Sequence, residues 1–284
     1  MTAFRIIPRL DIKGNSLVKG IHLEGLRVLG TPKQFAKYYY ENGADEIMYM
    51  DVVASLYGRN GLYDLVKETA KEVAIPMLVG GGIRTLEDIK MALDAGADRV
   101  SINTAAVKDP FFVEKAVKKF GSSTIVGVIE AIKDLKTSSY FAYTDNGREY
   151  TNLEVQEWAL RLENIGVGEI LITSVDREGT GLGLDKELIT LLSKKLSISI
   201  IVHGGCNSVE EIAENAKMPK IKGIALASCL HYSAMNQFSG SKESLEGNTN
   251  FLKSGRKNMK IKELNIVEIK EYLKKEKIKH RENW

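Results

Sequence analysis

A chain of 284 residues, 44% hydrophobic and 27% charged, can bury one large core or two small ones. No run of about 18 apolar residues offers a membrane span. The opening MTAFRIIPRLDIKG lacks the layout of a secretion signal, so a cytoplasmic protein with no membrane partner is expected. The formal charge of +3 owes much to SGRKNMKIKELN and YLKKEKIKHRENW near the end, which read as solvated faces. Without an accompanying recognition pattern they predict no nucleic-acid partner. Cys206, Cys229 and four scattered histidines have no ligand spacing, so neither metal nor cofactor is expected.

In chain order, strand patterns fall at 4–10 (FRIIPRL), 46–51 (EIMYMD), 75–79 (IPMLV) and 98–103 (DRVSIN). Four more follow at 124–130 (TIVGVIE), 169–174 (EILITS), 198–202 (ISIIV) and 222–227 (KGIALA). Helical patterns lie between them, near 32–42, 61–73, 86–95, 110–120, 153–165, 185–195 and 208–216, with a last one at 262–276. Those at 32 and 110 open on Thr-Pro and Asp-Pro, a cap residue and then proline in the first turn. Eight strands with helical connections are the count of a closed (β/α)8 TIM barrel of the α/β class, one domain over 1–284. An irregular insertion near 236–258, rich in Ser, Gly, Asn and Lys, precedes the last helix. The stretch 134–152 contains YFAYTDNGREY, a hairpin turning at Asp145–Gly147 that reads as surface decoration.

The chain repeats itself. MLVGGGIRTLEDI (77–89) returns as IIVHGGCNSVEEI (200–212), 123 residues later. NGADEIMYMD (42–51) parallels IGVGEILITS (165–174) at the same spacing, and Asp11 has its counterpart in Glu130, there with a shift of 119. Two fourfold halves closed into one barrel account for this two-fold pattern.

In such barrels the ligand lies where the strands end. Gly80, Gly81 and Gly82 permit a tight turn whose backbone N–H groups can face an anion, and Gly204 and Gly205 do so in the other half. Asn103–Thr104 and Ala227–Ser228 end the neighbouring strands, which makes two phosphate cradles, centred on Gly82 and Gly205, that suit a bis-phosphorylated ligand. Between them Asp11 and Glu130 end opposite strands as a general acid and base pair. Lys19, in the glycine-bearing segment KGNSLVKGIHLEG, is either an inward-reaching anion ligand on a closing lid or a solvated loop lysine. Asp51, Asp176 and Glu178 are secondary candidates at the same rim.

Period-two alternation turns Arg5, Ile7, Arg9 and Asp11 to one side of the first strand, taken as inward. Glu46, Arg99 and Glu169 begin the inward faces of three others. Four alternating charges, Arg5, Glu46, Arg99 and Glu169, therefore form a ring at the barrel floor, either as a plug or as a gate facing a partner protein.

The motifs RIIPRLDIKGNSLVKG, DEIMYMDVVAS, VGGGIRTLEDI, VSINTAAVKDP, GEILITSVDREGTGLG, HGG and GIALASCLHYS span nearly the whole chain. Together they resemble the cyclase subunits of imidazole glycerol phosphate synthase, the HisF family. The resemblance implies a HisH-like glutaminase docked on the N-terminal barrel face, releasing ammonia that passes the charged ring. At the opposite mouth the ammonia would convert a ribulosyl aminoimidazole carboxamide nucleotide to imidazole glycerol phosphate and aminoimidazole carboxamide ribotide. Asp11 and Lys19 match the family's catalytic aspartate and flexible-loop lysine. Gly82, Asn103 and Thr104, and Gly205, Ala227 and Ser228, match its phosphate grips.

This chain departs from that pattern at four positions. Glu130 stands where the family has aspartate, which moves the acid group by about one C–C bond, ~1.5 Å, a misplacement worth roughly a hundredfold in rate. Glu178 is a second such exchange. His203 replaces a small serine before the paired glycines, and Arg9 replaces a cysteine, where pairing with Asp11 would lower the aspartate's pKa. These changes resemble divergent paralogues that sit beside surface-polysaccharide genes and supply ammonia to a third protein that amidates a sugar. A noncatalytic barrel that binds a phosphorylated ligand is the remaining alternative.

Overall fold

The computed structural model describes residues 3–54, 62–238 and 260–282. Eight parallel strands close into a barrel: β1 (Arg5–Lys13), β4 (Ile47–Asp51), β5 (Met77–Gly80), β6 (Arg99–Ile102), β7 (Ile125–Lys133), β10 (Glu169–Ser174), β11 (Ser199–His203) and β12 (Ile221–Leu226). The pairing of β7 with β10 and of β12 with β1 leaves no open edge. All eight coincide with predicted strands to within a few residues. Two antiparallel hairpins extend the barrel from equivalent places in its halves. The pair β2 (Ser16–Ile21) and β3 (Glu24–Gly30) continues β1, and β8 (Tyr140–Thr144) with β9 (Glu149–Glu154) continues β7.

Alternation in the strands separates two apolar layers. On β1, Ile6, Leu10 and Ile12 pack outward under the helices, while Ile7 joins an inner cluster with Met48, Leu78, Val126, Val128, Leu171, Ile201 and Ala225. Arg5, Arg9 and Asp11 share the parity of Ile7, so the expected inward face is the observed one. The helices begin where the sequence signals them. Pro32 and Pro110 open Pro32–Glu41 and Pro110–Phe120, and Asp109 accepts from the Phe111 amide. Thr85 and Asp88 close a reciprocal capping box on Leu86–Asp94.

The expected helix 61–73 is shorter, Tyr63–Thr69, and Gly61 lies outside the described residues. The last helix is Ile266–Lys275. Of the segment read as an insertion, residues from 239 onward lie outside the described residues. KGNSLVKGIHLEG is a β-hairpin rather than a loop, because Asp11–Lys13 pair antiparallel with Ser16–Val18. Both cysteines are free and buried. Among the described residues no helix is long and apolar enough to cross a membrane.

Candidate active site

The first cradle opens on a cavity of about 180 Å³ at the C-terminal ends of β4–β7, and Gly82, Asn103, Thr104, Asp51, Arg9 and Glu130 all contribute to its wall. Gly81 and Gly82 have φ of +90° and +75°, and a Cβ on Gly81 would collide with the Asp51 carbonyl oxygen, so only glycine lets this turn close. Arg84 and Lys108 also line the cavity and add positive charge suited to an anion. Neither was singled out from sequence. Arg84 stood in the quoted glycine motif, whereas nothing local marks Lys108.

The β8–β9 hairpin reaches this cavity, which corrects its reading as surface decoration. Its turn lies at the expected place, with Asp145, Asn146 and Gly147 all at positive φ. The Gly147 N–H donates to Glu130 Oε2 at 2.7 Å, and Asn146 lines the cavity while its amide donates to the Leu23 carbonyl of the other hairpin at 2.9 Å. The Asp145 N–H donates to Thr104 Oγ1 at 3.1 Å, and Asn103 donates to the Tyr143 carbonyl at 3.1 Å. Glu130 is 7% exposed. Burial pushes its pKa up to about 7, against the pull of the Gly147 N–H and the Arg9 charge. Gly147→Ala would strain a φ of +77° and bring a Cβ to 3.3 Å from Val175. The expected result is about 1 kcal/mol lost in stability and a Glu130 titration moved upward as the strained turn draws the backbone N–H of residue 147, which alanine retains, away from the carboxylate, both readable by thermal unfolding and carboxyl NMR.

Asp11 does not line the cavity. It is 1% exposed, enclosed by Arg9 Nε at 2.8 Å and Lys19 Nζ at 3.3 Å. Burial alone would raise its pKa, but the Arg9 guanidinium and then the Lys19 ammonium hold it well below the usual carboxylate range. The expected Arg9–Asp11 pairing is thus present with its expected sign. Lys19 is buried and also bonds Glu178, so the solvated-lysine reading is replaced by an ion-pair network. Glu178 in turn accepts the Leu23 N–H at 2.9 Å and its carbonyl accepts from the His22 N–H, which fastens the β2–β3 hairpin over the mouth. Arg9 Nη1 donates across the bore to Thr173 Oγ1 on β10 at 3.2 Å. Sequence reasoning missed His231, fully buried, whose Nε2 donates to the Arg9 carbonyl at 3.1 Å while Nδ1 accepts from Tyr39 at 2.6 Å.

The second cradle is tighter. Gly205, Ala227, Ser228, His203 and Glu178 surround about 20 Å³ of space, room for roughly one oxygen-sized occupant. Asp51 accepts the Val53 N–H at 3.0 Å on the cavity wall, but Asp176 accepts the Lys133 N–H at 2.8 Å outside both cradles, on the outer flank of the β7–β8 hairpin.

At the opposite end, Arg5 reaches Glu46 at 2.7 Å and Glu169 at 2.5 Å, and Arg99 reaches Glu46 at 2.5 Å and Glu169 at 2.6 Å. The four charges close a ring, each bonded to two of opposite sign. They face a depression of about 740 Å³.

Residues 5–236 match the family described as Histidine biosynthesis protein. The chain is 51% identical to the imidazole glycerol phosphate synthase subunit HisF of Legionella pneumophila over 211 residues, 74% of this chain and 99% of that protein. It is 44% identical to the HisF subunit of Hydrogenobaculum sp. (strain Y04AAS1) over 82% of this chain and 92% of the relative. The HisF subunit of Lactococcus lactis subsp. cremoris (strain SK11) is 40% identical over 82% and 90% of the respective lengths.

Proposed function

Because this chain belongs to the Histidine biosynthesis protein family, and within it to the HisF subunits, we propose that it works as the cyclase half of a glutamine-dependent imidazole glycerol phosphate synthase. Its substrate is a bis-phosphorylated ribulosyl aminoimidazole carboxamide nucleotide, held by the Gly82–Asn103–Thr104 cradle at one end and the Gly205–Ala227–Ser228 cradle at the other. Glu130 supports this reading most directly. It lines the larger cavity and carries a carboxyl that is part acid and part base near neutral pH, while Asp11 stays ionised. Two carboxyl groups with separated pKa values divide acid and base duties.

Ammonia enters from a HisH-like glutaminase docked against the floor depression, passes the ring of Arg5, Glu46, Arg99 and Glu169, and crosses the apolar interior beside Ile7, Met48, Leu78 and Leu171. An ammonium salt supplied to the isolated chain bypasses that route. Cyclised product is then expected, and its absence in a folded protein that binds the nucleotide would overturn the cyclase assignment.

A second reading is favoured by one observation, the enclosure of Asp11 by Arg9 and Lys19. In it the chain conducts ammonia from a glutaminase to a third protein that amidates a surface sugar, and the cyclase centre is idle. The ammonium assay separates the two.

Both readings need the ring. Glu46→Lys sets three cations against Glu169 alone, which should cost roughly 3–5 kcal/mol and abolish binding to the glutaminase. The milder Glu46→Gln should keep the fold and weaken the complex. Titration calorimetry with the glutaminase checks both, and unaltered binding of Glu46→Gln together with normal glutamine-driven turnover would remove the interface claim.

A further inference from the structure

Two polar atoms at the second cradle have no hydrogen-bond partner although they are shut away from solvent: His203 Nε2 and Ser228 Oγ. Their residues are 6% and 8% exposed, and both face the same small cavity beside Gly204 and Gly205. Buried polar groups are normally satisfied, so two orphans on one cavity point to an occupant. A Cβ on Gly205 would strike the Gly183 carbonyl oxygen, and one on Gly204 would stand 2.5 Å from that of Ser174. Glycine therefore keeps the turn pressed against its neighbours, and His203 supplies the bulk at the cavity wall.

The protonation of the ring follows from its other nitrogen. His203 Nδ1 lies 2.9 Å from the Ala225 carbonyl, which can only accept, so Nδ1 carries a hydrogen. Burial first, and then the Arg9 and Lys19 charges, push the ring's pKa well below its ordinary value, so the ring is neutral and Nε2 shows a lone pair to the cavity. A lone pair repels the oxygen of an anion. We propose that His203 is a ligand of this cradle that takes its anion together with a proton: one oxygen of a phosphoryl group enters between His203 and Ser228, and Nε2 is protonated as it does. The proton comes from solvent and becomes the Nε2–H donor, while Ser228 donates its hydroxyl.

The proposal rests on the phosphate reading of this cradle and adds the proton linkage to it. The charged groups around the ring are Arg9 and Asp11 from β1, Lys19 from β2 and Glu178 from the segment after β10, with the thiols of Cys206 and Cys229 close by. At the ring the Arg9 and Lys19 cations outweigh the Asp11 carboxylate, so an incoming anion is the charge that reverses the balance and favours the imidazolium.

Sulfate is the probe, because it carries no proton near neutral pH and any proton taken up must rest on the protein. The measurement is imidazole nitrogen NMR of the full chain, which has four histidines, in a Glu130→Gln background that removes a carboxyl titrating near neutrality. Without sulfate the His203 ring should show the neutral Nδ1–H form. Saturation should convert it to imidazolium, and sulfate affinity should fall about tenfold per pH unit across the linked range. His203→Ser should bind sulfate with little pH dependence. Sulfate binding that shifts the Gly205 and Ser228 amides but leaves the ring neutral would overturn the proton linkage and keep the cradle. Absence of any shift at Gly205, Ser228 and His203 would overturn the cradle itself.

Discussion

Glu130→Gln is expected to reduce ammonium-driven cyclisation by roughly a hundred- to ten-thousand-fold with nucleotide affinity almost unchanged. The two side chains have the same shape, and the glutamine oxygen can still accept the Gly147 N–H that now reaches Glu130 Oε2 at 2.7 Å. What disappears is a transferable proton at the wall of the larger cavity. Steady-state rates at saturating ammonium separate the two effects: kcat should collapse while the substrate's KM stays close to wild type. If turnover persists near the wild-type level, Glu130 is not the acid.

The same carboxyl makes stability depend on pH in a stated direction. Its folded pKa of about 7 lies above the ordinary 4.5, so its contribution is fully present below pH 4.5 and is lost as pH rises through 7. The loss amounts to about 3 kcal/mol. Glu130→Gln has no such slope, and unfolding midpoints of the two proteins compared between pH 5 and 8 (chosen to bracket about one unit on the high side of pH 7) should converge at the acid end and part toward the alkaline end, the variant becoming relatively more stable.

The barrel was legible because its signals are local. Alternation placed Arg5, Ile7, Arg9 and Asp11 on one face, and the glycine pairs with their spacing of 123 residues announced the halves. The ring was readable for the same reason, since each of its members begins a strand with inward parity. The hairpins were harder. Ser16–Ile21 and Glu24–Gly30 carry few aromatic or β-branched residues, and their pairing is sustained by β1 and by the grip of Glu178 on Leu23, a contact 155 residues apart in sequence. The place of Gly147 against Glu130 depends on a turn folding back over the barrel mouth, and no pattern within the turn reports that. Asp176 shows the converse limit: a carboxyl at a strand end reads as a rim candidate, and only the fold shows that it accepts the Lys133 amide outside both cradles.

Arg9→Cys tests whether the buried arginine throttles the proposed ammonia route. Its side chain is 2% exposed and crosses the bore from β1 to Thr173 on β10, directly above the apolar interior. Cysteine there puts a small side chain in the bore and leaves Asp11 paired with Lys19 alone. Loss of one partner of a buried ion pair should lower stability by about 3 kcal/mol. The sign with pH follows from Asp11. Its depressed pKa contributes stability above the ordinary carboxylate value that is lost as pH falls through the folded one. With Arg9 gone the depression shrinks, so acid unfolding should begin at a higher pH. In the proposed complex with a glutaminase, glutamine-driven turnover should rise relative to ammonium-driven turnover, since on the proposed route only the former passes position 9. A ratio that stays the same, in a variant whose acid unfolding has shifted as expected, would mean that ammonia does not travel through the bore past Arg9.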